Sequence, residues 1–471
     1  MSIAQIPFTQ LNKSVDKTST TEWNQSQYDG YWQEVLTPDG PKVLWCKRPG
    51  LTLFCNLGEP ARIDGLWYWV RQDLLIAACN GKIFKITSTG TSTDITGTAT
   101  MTAGNRPTFS DIYGTDIYIA SGGRIGKFST TAGAYLADAD APTTVRFLGV
   151  MNKVLVGLND TSERFDWAEA IDPTDWAGNY ANAENQPDLA RSMIVANNYL
   201  YFHGQSTTEL WRDDGITFVR EPQVIQRGSA ARYSVCDING VIYWLDNTRE
   251  VTRLEGYSPV IISNPELSRY LKSFSTVDDA TGDYLKAEGR HFYVLSFPTE
   301  QKTLVYDIGL SQWYEWAYWD TATATYKSWK GSCIADATSW NKVLIGDRSG
   351  SNIYYVGGYD DNGEDIRTVL QSDFVDRGSQ DARKFCHSLT LTFKRSDTAA
   401  TPKKMIINWR DDGQADWSNS IEADIEGSNT TENMVKLTRL GSYKKRQWRF
   451  IMSDSTQSCL LSAVENFTYG R

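Results

Sequence analysis

Few side chains in this sequence occur in a pattern that is typical of acid–base or nucleophilic catalysis. The three histidines are His203, His291 and His387, and each lies in or beside a predicted strand, where a packed or interface histidine is more common than a catalytic base. The sequence contains no His-x-x-x-His helix, phosphate-cradling glycine loop or nucleophile elbow. We therefore predict no catalytic, cofactor-binding or metal-ligating residue, and no enzymatic activity.

Paired carboxylates are the other candidates, at Asp213–Asp214, Asp278–Asp279 and Asp411–Asp412. All three pairs fall in predicted turns, where aspartate caps and bends the backbone. The segment from Trp409 to Trp417 resembles the Asp-box of sialidases, but its aromatic residue follows the glycine by four positions instead of three. A glycosidase can draw its two carboxylates from distant strands. A glycosidase and a glycan-binding propeller therefore remain alternatives.

The elements that carry these residues are short strands that recur along the chain. Each repeat contains an apolar strand, a turn of Asn, Asp or Gly, and a second strand, and the starts lie 37 to 51 residues apart. The starting residues are Leu74, Ile117, Val154, Tyr199, Val241, Phe292 and Val343. A period of roughly 40 to 50 residues for four strands is typical of a propeller blade. We predict an all-β fold with a β-propeller of six or seven blades, and a large β-sandwich is the alternative.

The pattern also predicts the domain boundaries. Residues 1–40 are interpreted as an N-terminal arm and residues 41–365 as the propeller, whose last blade an early hairpin at 43–55 completes. Residues 160–190 show little periodicity and are predicted to be an inserted interaction loop. Strict alternation in residues 366–471 predicts a C-terminal β-sandwich of jelly-roll type. The acidic run just before it, at 360–365, lacks the ligand spacing of a calcium loop and is interpreted as a linker.

One helix is predicted, from Asn264 to Ser273. Asn264 is a good N-cap, Pro265 suits the first helical position, and Glu266 complements the positive end of the helix dipole.

Composition suits an all-β protein made in a cytoplasm. The chain has 471 residues, 41% hydrophobic and 12% aromatic, with a net charge of −10 and no basic cluster of the kind that grips DNA phosphates. No run approaches the roughly 18 apolar residues of a membrane span, and the start does not resemble a secretion signal. The seven cysteines are scattered, so we expect buried thiols rather than disulfides.

Several segments, in this order, carry a resemblance to a known family. They are Arg48-Pro49-Gly50-Leu51, Glu184-Asn185-Gln186-Pro187-Asp188, Ser206-Thr207-Thr208-Glu209-Leu210, Ile225-Gln226-Arg227-Gly228, Gly240 to Leu245, Leu304 to Asp307, Trp313 to Trp316, and the hairpin from Trp409 to Trp417. In this order the segments resemble the tail hub, or nozzle, proteins of short-tailed bacteriophages, which are often labelled packaged-DNA stabilisation proteins. The resemblance covers nearly the whole chain.

The resemblance implies a virion protein of the phage tail that is assembled in the host cytoplasm. It implies a homohexamer below the portal and adaptor ring that continues the DNA channel, retains the packaged genome and carries fibres, spikes and a plug or needle. Viral DNA would pass without sequence-specific binding, and an acidic wall would not hold it. The candidate partner-contact loop consists of Glu184, Gln186, Pro187 and Asp188, and a purely structural role for this loop is the alternative.

Overall fold

A computed structural model describes residues 2–8, 27–37, 40–183, 188–394, 404–425, 432–455, 457 and 459–470. This part of the chain consists of β-strands joined by turns, with one α-helix. None of its helices is long and apolar enough to cross a membrane. Five strands precede the repeats: β1 Ser2–Gln5, β2 Gln27–Tyr28, β3 Gly30–Thr37, β4 Gly40–Lys47 and β5 Leu51–Asn56.

The repeats form the blades of a propeller, each an antiparallel meander. Blades 1 to 3 hold β6 Ile63–Trp69, β7 Leu74–Cys79, β8 Lys82–Ile86 and β9 Ser92–Asp94; β10 Thr108–Asp111, β11 Ile117–Ala120, β12 Gly126–Phe128 and β13 Gly133–Tyr135; β14 Val145–Met151, β15 Val154–Asn159, β16 Arg164–Trp167 and β17 Tyr180–Asn182. Blades 4 and 5 hold β18 Ser192–Ala196, β19 Tyr199–His203, β20 Thr208–Asp213 and β21 Phe218–Ile225; β22 Cys236–Ile238, β23 Val241–Leu245, β24 Val251–Glu255 and β25 Ser258–Ile261.

Two more blades follow the helix α1, Pro265–Lys272, and they differ in how their strands are supplied. Blade 6 holds β26 Thr281–Ala287, β27 Arg290–Phe297, β28 Lys302–Asp307 and β29 Gln312–Glu315; a hairpin of β30 Ala317–Asp320 and β31 Thr325–Ser328 follows; blade 7 holds β32 Gly331–Ala337, β33 Lys342–Asp347 and β34 Asn352–Val356. The fourth strand of blade 7 is β5, which pairs antiparallel with β34. The strand that closes the ring therefore comes from the beginning of the chain.

The ring of described blades is closed and has seven members. The first strand of each blade contacts the first strand of the next, in the order β6, β10, β14, β18, β22, β26, β32 and back to β6. The propeller is thus confirmed, and the seven predicted repeat starts all fall in the second strand of a blade, β7, β11, β15, β19, β23, β27 and β33. These second strands are the easiest to recognise because both of their faces are covered: β7 and β15 each have five buried residues of six.

Tight turns with left-handed residues join many of these strands. Asn197 and Asn198 have φ values of 50° and 61°, and Asn80–Gly81 has 54° and 76°. Two consecutive residues with positive φ form a type I′ turn, whose twist matches that of the flanking strands. The Asn80–Gly81 turn is one of the Asn, Asp or Gly turns predicted within the repeats, and it is confirmed.

The remaining strands form two sheets beside the propeller. They are β35 Asp360–Asp361, β36 Glu364–Gln371, β37 Lys384–Lys394, β38 Lys404–Asp411, β39 Ile421–Asp424, β40 Glu432–Thr438, β41 Ser442–Tyr443, β42 Arg446–Asp454 and β43 Cys459–Tyr469. One sheet runs β3-β4-β43-β37-β40, with β1 beside β43 and β41 beside β37; the other pairs β36, β42, β38 and β39. Both sheets contribute to one apolar core, which also includes residues of blades 6 and 7. Jelly-roll connectivity stays a prediction.

These pairings differ from the predicted domain boundaries. Strands β1, β3 and β4 come from the N-terminal region but belong to the sheet of the C-terminal strands, so of the early hairpin only β5 completes a blade. The presumed acidic linker at 360–365 is instead the hairpin of β35 and β36, with Asn362 and Gly363 at positive φ in its turn. Alternation reveals a strand but not its distant partner, which is why sequence pattern could not place them.

The predicted helix is confirmed. It spans Pro265–Lys272, and the side chain of Asn264 accepts a hydrogen bond of 2.7 Å from the backbone N–H of Leu267. Leu267 and Leu271 are buried in the core shared by blades 5 and 6. The helix therefore fills the junction between two neighbouring blades.

The expectation of thiols is wrong for one pair of cysteines. Cys46 on β4 lies opposite Cys459 on β43, with the two Cα atoms 4.2 Å apart, and a disulfide joins them. Cys55, Cys79, Cys236, Cys333 and Cys386 are free. The sequence spacing of 413 residues concealed this cross-strand pair.

Candidate partner-contact site

Of the predicted contact loop, the structure describes Asp188. Glu184, Gln186 and Pro187 lie outside the described residues. The Asp188 carboxylate accepts hydrogen bonds from three successive backbone N–H groups, those of Gln205, Ser206 (2.8 Å) and Thr207 (2.7 Å). The Thr207 hydroxyl donates a fourth bond, of 3.0 Å. With 8% of its surface exposed and both oxygens occupied, Asp188 holds the connection between β19 and β20 and does not itself offer a partner contact.

Two glycines make this arrangement possible by their lack of a side chain. A Cβ at Gly204 would lie 2.5 Å from Oδ2 of Asp188, and a Cβ at Gly228 would lie 2.4 Å from the backbone of Gln205 and Ser206. Gly204 does not have a positive φ, so backbone conformation alone does not require glycine there. The close approach of Asp188 therefore accounts for this glycine.

A buried histidine continues the same structure toward blade 5. Thr208 donates its hydroxyl proton to the carbonyl of Arg227 at 2.7 Å, so the Nδ1–H of His203, 2.9 Å away, is the donor to the Thr208 oxygen. The Nε2 of His203 has no hydrogen-bond partner among the described residues, and the ring packs against Trp244. Burial lowers the pKa of His203 to about 3. The imidazole is therefore neutral, and it fills the seam between blades 4 and 5.

The predicted insertion at 160–190 is in large part blade 3. It contains β16 and β17, which pair as the outer strands of that blade, so the interpretation of the whole stretch as an inserted loop is wrong. A three-residue outer strand is too short to show alternation, which explains the missed assignment. What projects is the segment between these strands, residues 168–179. Trp176 anchors it with 1% exposure, in a core cluster with residues of blades 2 and 3.

The tip of this segment has an unusual backbone. Ile171 has φ of 90° and is 80% exposed. A β-branched residue rarely adopts positive φ, and strained exposed residues occur often at recognition sites. The hydroxyl of Tyr113, itself exposed, donates to the Ile171 carbonyl at 3.0 Å and fixes the tip. The chain thus presents the Ile171 side chain on a braced loop, with the exposed ring of Tyr113 from blade 2 beside it.

A second buried polar site joins the arm, the propeller and the C-terminal strands. The guanidinium of Arg48 donates to Asp29 at 2.6 Å and to both oxygens of Asp361 at 2.9 and 2.6 Å. All three side chains are nearly inaccessible to solvent. Burial raises the pKa of Asp29 to about 6, and the charge of Arg48 opposes this rise. The Arg-Pro-Gly-Leu segment of the sequence is therefore the place where three parts of the chain meet.

Most of the other residues considered for chemistry have structural partners. Asp411 pairs with Arg446 through two hydrogen bonds of 2.6 and 2.8 Å, and Asp412 accepts the backbone N–H groups of Lys444 and Lys445. Asp214 accepts two backbone N–H groups in the turn between β20 and β21. His291 stacks on Tyr284, and His387 is exposed beside Thr468. Within the described residues no group of three or more metal-ligating side chains occurs.

Comparison with known families identifies the propeller. The profile of the family Phage_stabilise, described as "Bacteriophage P22 Gp10, beta-propeller", matches residues 60–358, which run from just before β6 to just after β34. The chain belongs to this family. It is therefore a bacteriophage virion structural protein of the kind that stabilises packaged DNA.

Solved structures that resemble this chain do so only at low sequence identity. The WD40 β-propeller domain of Doa1 is 10% identical, with 65% of this chain and 96% of that chain covered and a TM-score of 0.41. BamB from Moraxella catarrhalis is 9% identical (75% and 98% covered, TM-score 0.40), and the extracellular domain of the putative one component system BT4673 from B. thetaiotaomicron is 10% identical (91% and 62% covered, TM-score 0.45). No curated protein matches the chain.

Several of the segments that carry the resemblance to tail hub proteins lie at structural junctions. Asp188, Thr207 and Gly228 meet where blade 4 adjoins blade 5, and Trp313 donates its indole N–H to the carbonyl of Ile262 at 3.0 Å. Arg48 occupies the junction described above. These family-like residues therefore maintain the ring rather than form a reaction centre. The site that sequence pattern missed is the Ile171 tip, since a positive φ at isoleucine leaves no sequence signal.

Proposed function

We propose that six copies of this chain form the tail hub, or nozzle, below the portal and adaptor ring of a short-tailed phage. The observation that carries the proposal is the family match, which spans the complete set of first strands that close the ring. In this role the hexamer continues the DNA channel, retains the packaged genome, and anchors fibres or spikes and a plug. The net charge of −10 suits a channel wall that does not hold DNA phosphates.

The braced loop at residues 168–179 supports a head-to-tail contact between subunits. A sixfold ring needs heterologous interfaces, in which a projecting patch of one subunit meets a different surface of the next. The exposed Ile171 and Tyr113 supply such a patch, and Trp176 holds it at a fixed position. We propose that this loop, rather than Asp188, makes the subunit contact. A contact role for Glu184, Gln186 and Pro187 stays a prediction.

The stoichiometry of purified virions tests the assembly. Quantitative mass spectrometry would compare copies of this chain with copies of the portal protein in the same particles. A sixfold ring below a portal of about twelve subunits requires about half as many copies. Absence of the chain from particles, with free protein in the lysate, would exclude the hub.

A pair of exposed isoleucines tests the interface. Ile171→Asp introduces a charge into the proposed contact, and aspartate tolerates positive φ better than isoleucine, so the fold is retained. Ile216, 93% exposed in the turn between β20 and β21, provides the matched control Ile216→Asp. We expect Ile171→Asp to abolish rings seen by electron microscopy and light scattering, with Ile216→Asp unchanged. Intact rings in Ile171→Asp would show that the subunits meet elsewhere.

A further inference from the structure

The axis of the propeller contains two adjoining cavities that the proposed assembly does not use. The first encloses about 380 Å³ at the end of the ring where β6 and β26 begin, and the second encloses about 450 Å³ among the first strands of blades 1 to 4. Arg106, Arg232 and Tyr233 line both. The first cavity, which we term the axial mouth, is lined by Arg62, Ile63, Asp64, Gly104, Asn105, Arg106, Arg232, Tyr233, Asp278, Asp279, Thr281, Pro298, Thr299, Ser332 and Arg348.

The arginines of the axial mouth differ in how far their charges are neutralised. Arg106 is held by both oxygens of Asp283 and by the carbonyl of Ser332. Arg62 and Arg232 each have a carboxylate partner, at 3.2 and 2.9 Å, but keep 42% and 41% of their side chains exposed. Arg62 also donates to the carbonyl of Gly104 at 2.6 Å, so Arg232 has the larger share of donors that can turn toward a ligand.

Arg348 has no such partner. It donates to two backbone carbonyls, those of Trp329 at 3.3 Å and Gly331 at 2.6 Å, and no carboxylate of a described residue lies within 4.0 Å of its guanidinium. Burial, followed by the charge of Arg62, lowers its pKa to about 10, and the charge of Asp283 opposes this shift. It is still protonated at neutral pH. A cation in a half-closed cavity without a direct ion-pair partner is costly, and an oxyanion that contacts it offsets that cost.

The carboxylates of the axial mouth limit the size of this anion. Asp64 lines it and is paired with Arg62, and Asp278 and Asp279 line it from the connection that enters blade 6, whereas Arg348 comes from blade 7 and Arg62 from the connection that enters blade 1. A long polyanion such as a nucleic-acid backbone would be repelled by these aspartates.

We propose that Arg62, Arg232 and Arg348 bind a small phosphate-type oxyanion, either inorganic phosphate or a phosphomonoester, in the axial mouth. Guanidinium groups match the geometry of phosphate oxygens, and several of them can share one anion. This site is independent of the hexamer, because the residues that line it come from one chain. Its failure would leave the proposed function untouched.

Calorimetric titration of the full chain tests this site with inorganic phosphate and with ribose 5-phosphate as separate probes, against sodium chloride and acetate at matched ionic strength. We expect saturable binding of at least one phosphate probe, and the tighter of the two identifies the natural source. Arg348→Gln and Arg232→Gln should each weaken it about ten-fold or more. Arg212→Gln removes one positive charge from β20 of blade 4, which does not line the axial mouth, and should leave the phosphate affinity unchanged.

Arg232→Gln is the safer of the two variants for folding. Its partner Asp160 keeps two hydrogen bonds from Arg146, at 2.7 and 2.6 Å, so no buried carboxylate loses its counter-ion. Thermal unfolding with and without phosphate gives a second readout for the wild-type chain. The proposal would be overturned if the wild type showed no saturable phosphate binding. It would also be overturned if Arg232→Gln and Arg348→Gln both bound phosphate as tightly as the wild type, or if Arg212→Gln lost as much affinity as they do.

Discussion

The buried His203 makes the stability of this propeller depend on pH in a way that can be calculated. In the unfolded chain a histidine has a pKa near 6.5, whereas burial lowers the pKa of His203 in the folded chain to about 3. Between these values the unfolded chain binds more protons, so the folded state loses stability as pH falls from 6.5 toward 3. Applied to these two pKa values, linkage gives a loss of about 2 kcal/mol between pH 7 and pH 5 from this residue alone.

The perturbation that isolates this contribution is His203→Asn. The amide of asparagine can keep the hydrogen bond that Nδ1 makes to Thr208, but it does not titrate. Packing against Trp244 is lost, so the variant is expected to be less stable at every pH. The informative quantity is therefore the change of stability with pH and not its absolute value.

Chemical denaturation at pH 5, 6 and 7, followed by tryptophan fluorescence, measures this change. We expect the free energy of unfolding to fall between pH 7 and pH 5 by about 2 kcal/mol more in the wild type than in His203→Asn. His387→Asn, at an exposed site, should keep the wild-type slope. Identical slopes in the wild type and His203→Asn would refute the assignment of a buried neutral imidazole.

Three further predictions concern the junctions. Arg48→Met leaves Asp29 and Asp361 buried without a counter-ion, and should cost about 3–5 kcal/mol of unfolding free energy, measured against Arg212→Met. Cys46→Ser should lower stability by about 2–4 kcal/mol; reductant should lower the wild type to the same level and leave the variant unaffected. Asp188→Ala leaves three backbone N–H groups without their acceptor and should lower the free energy of unfolding by at least ~2 kcal/mol, whereas Asp188→Asn should lower it less. If neither variant changed the stability measurably, the loop would not depend on this carboxylate.

The sequence predicted the repeat well because of where the signal lies. Second strands such as β7 and β15 are covered on both faces, so they appear as uninterrupted apolar runs followed by Asn or Gly turns. The number of blades stayed open because the last strand of blade 7, β5, lies some 300 residues before its partner β34. Pairing at such separation is decided by ring closure, which no local pattern records.

The polar sites were harder to predict than the strands. The sequence predicted Asp188 as part of a polar loop. The groups that donate hydrogen bonds to its carboxylate are the backbone N–H groups of residues 205–207, and no sequence pattern identifies them. The glycines at 204 and 228 were the available signal, since a glycine that follows a strand can mark a close approach of other atoms. The burial of Arg48 could not be predicted, because arginine is almost never fully buried unless it is paired, and its partners are distant in the sequence.

The position of these buried charges explains how the chain fixes its own geometry. Apolar residues of blades 6 and 7 and of the C-terminal sheets belong to one core, but apolar contacts alone tolerate sliding of one layer on another. Arg48 must meet Asp29 and Asp361 together, and a small displacement would leave one carboxylate buried and unpaired. We infer that this triad selects one position of the propeller relative to the two sheets. If Arg48→Met folds but loosens that position, hydrogen exchange should rise in β2, β5 and β35 while blades 2 to 4 stay protected; uniform protection would assign the triad to stability alone.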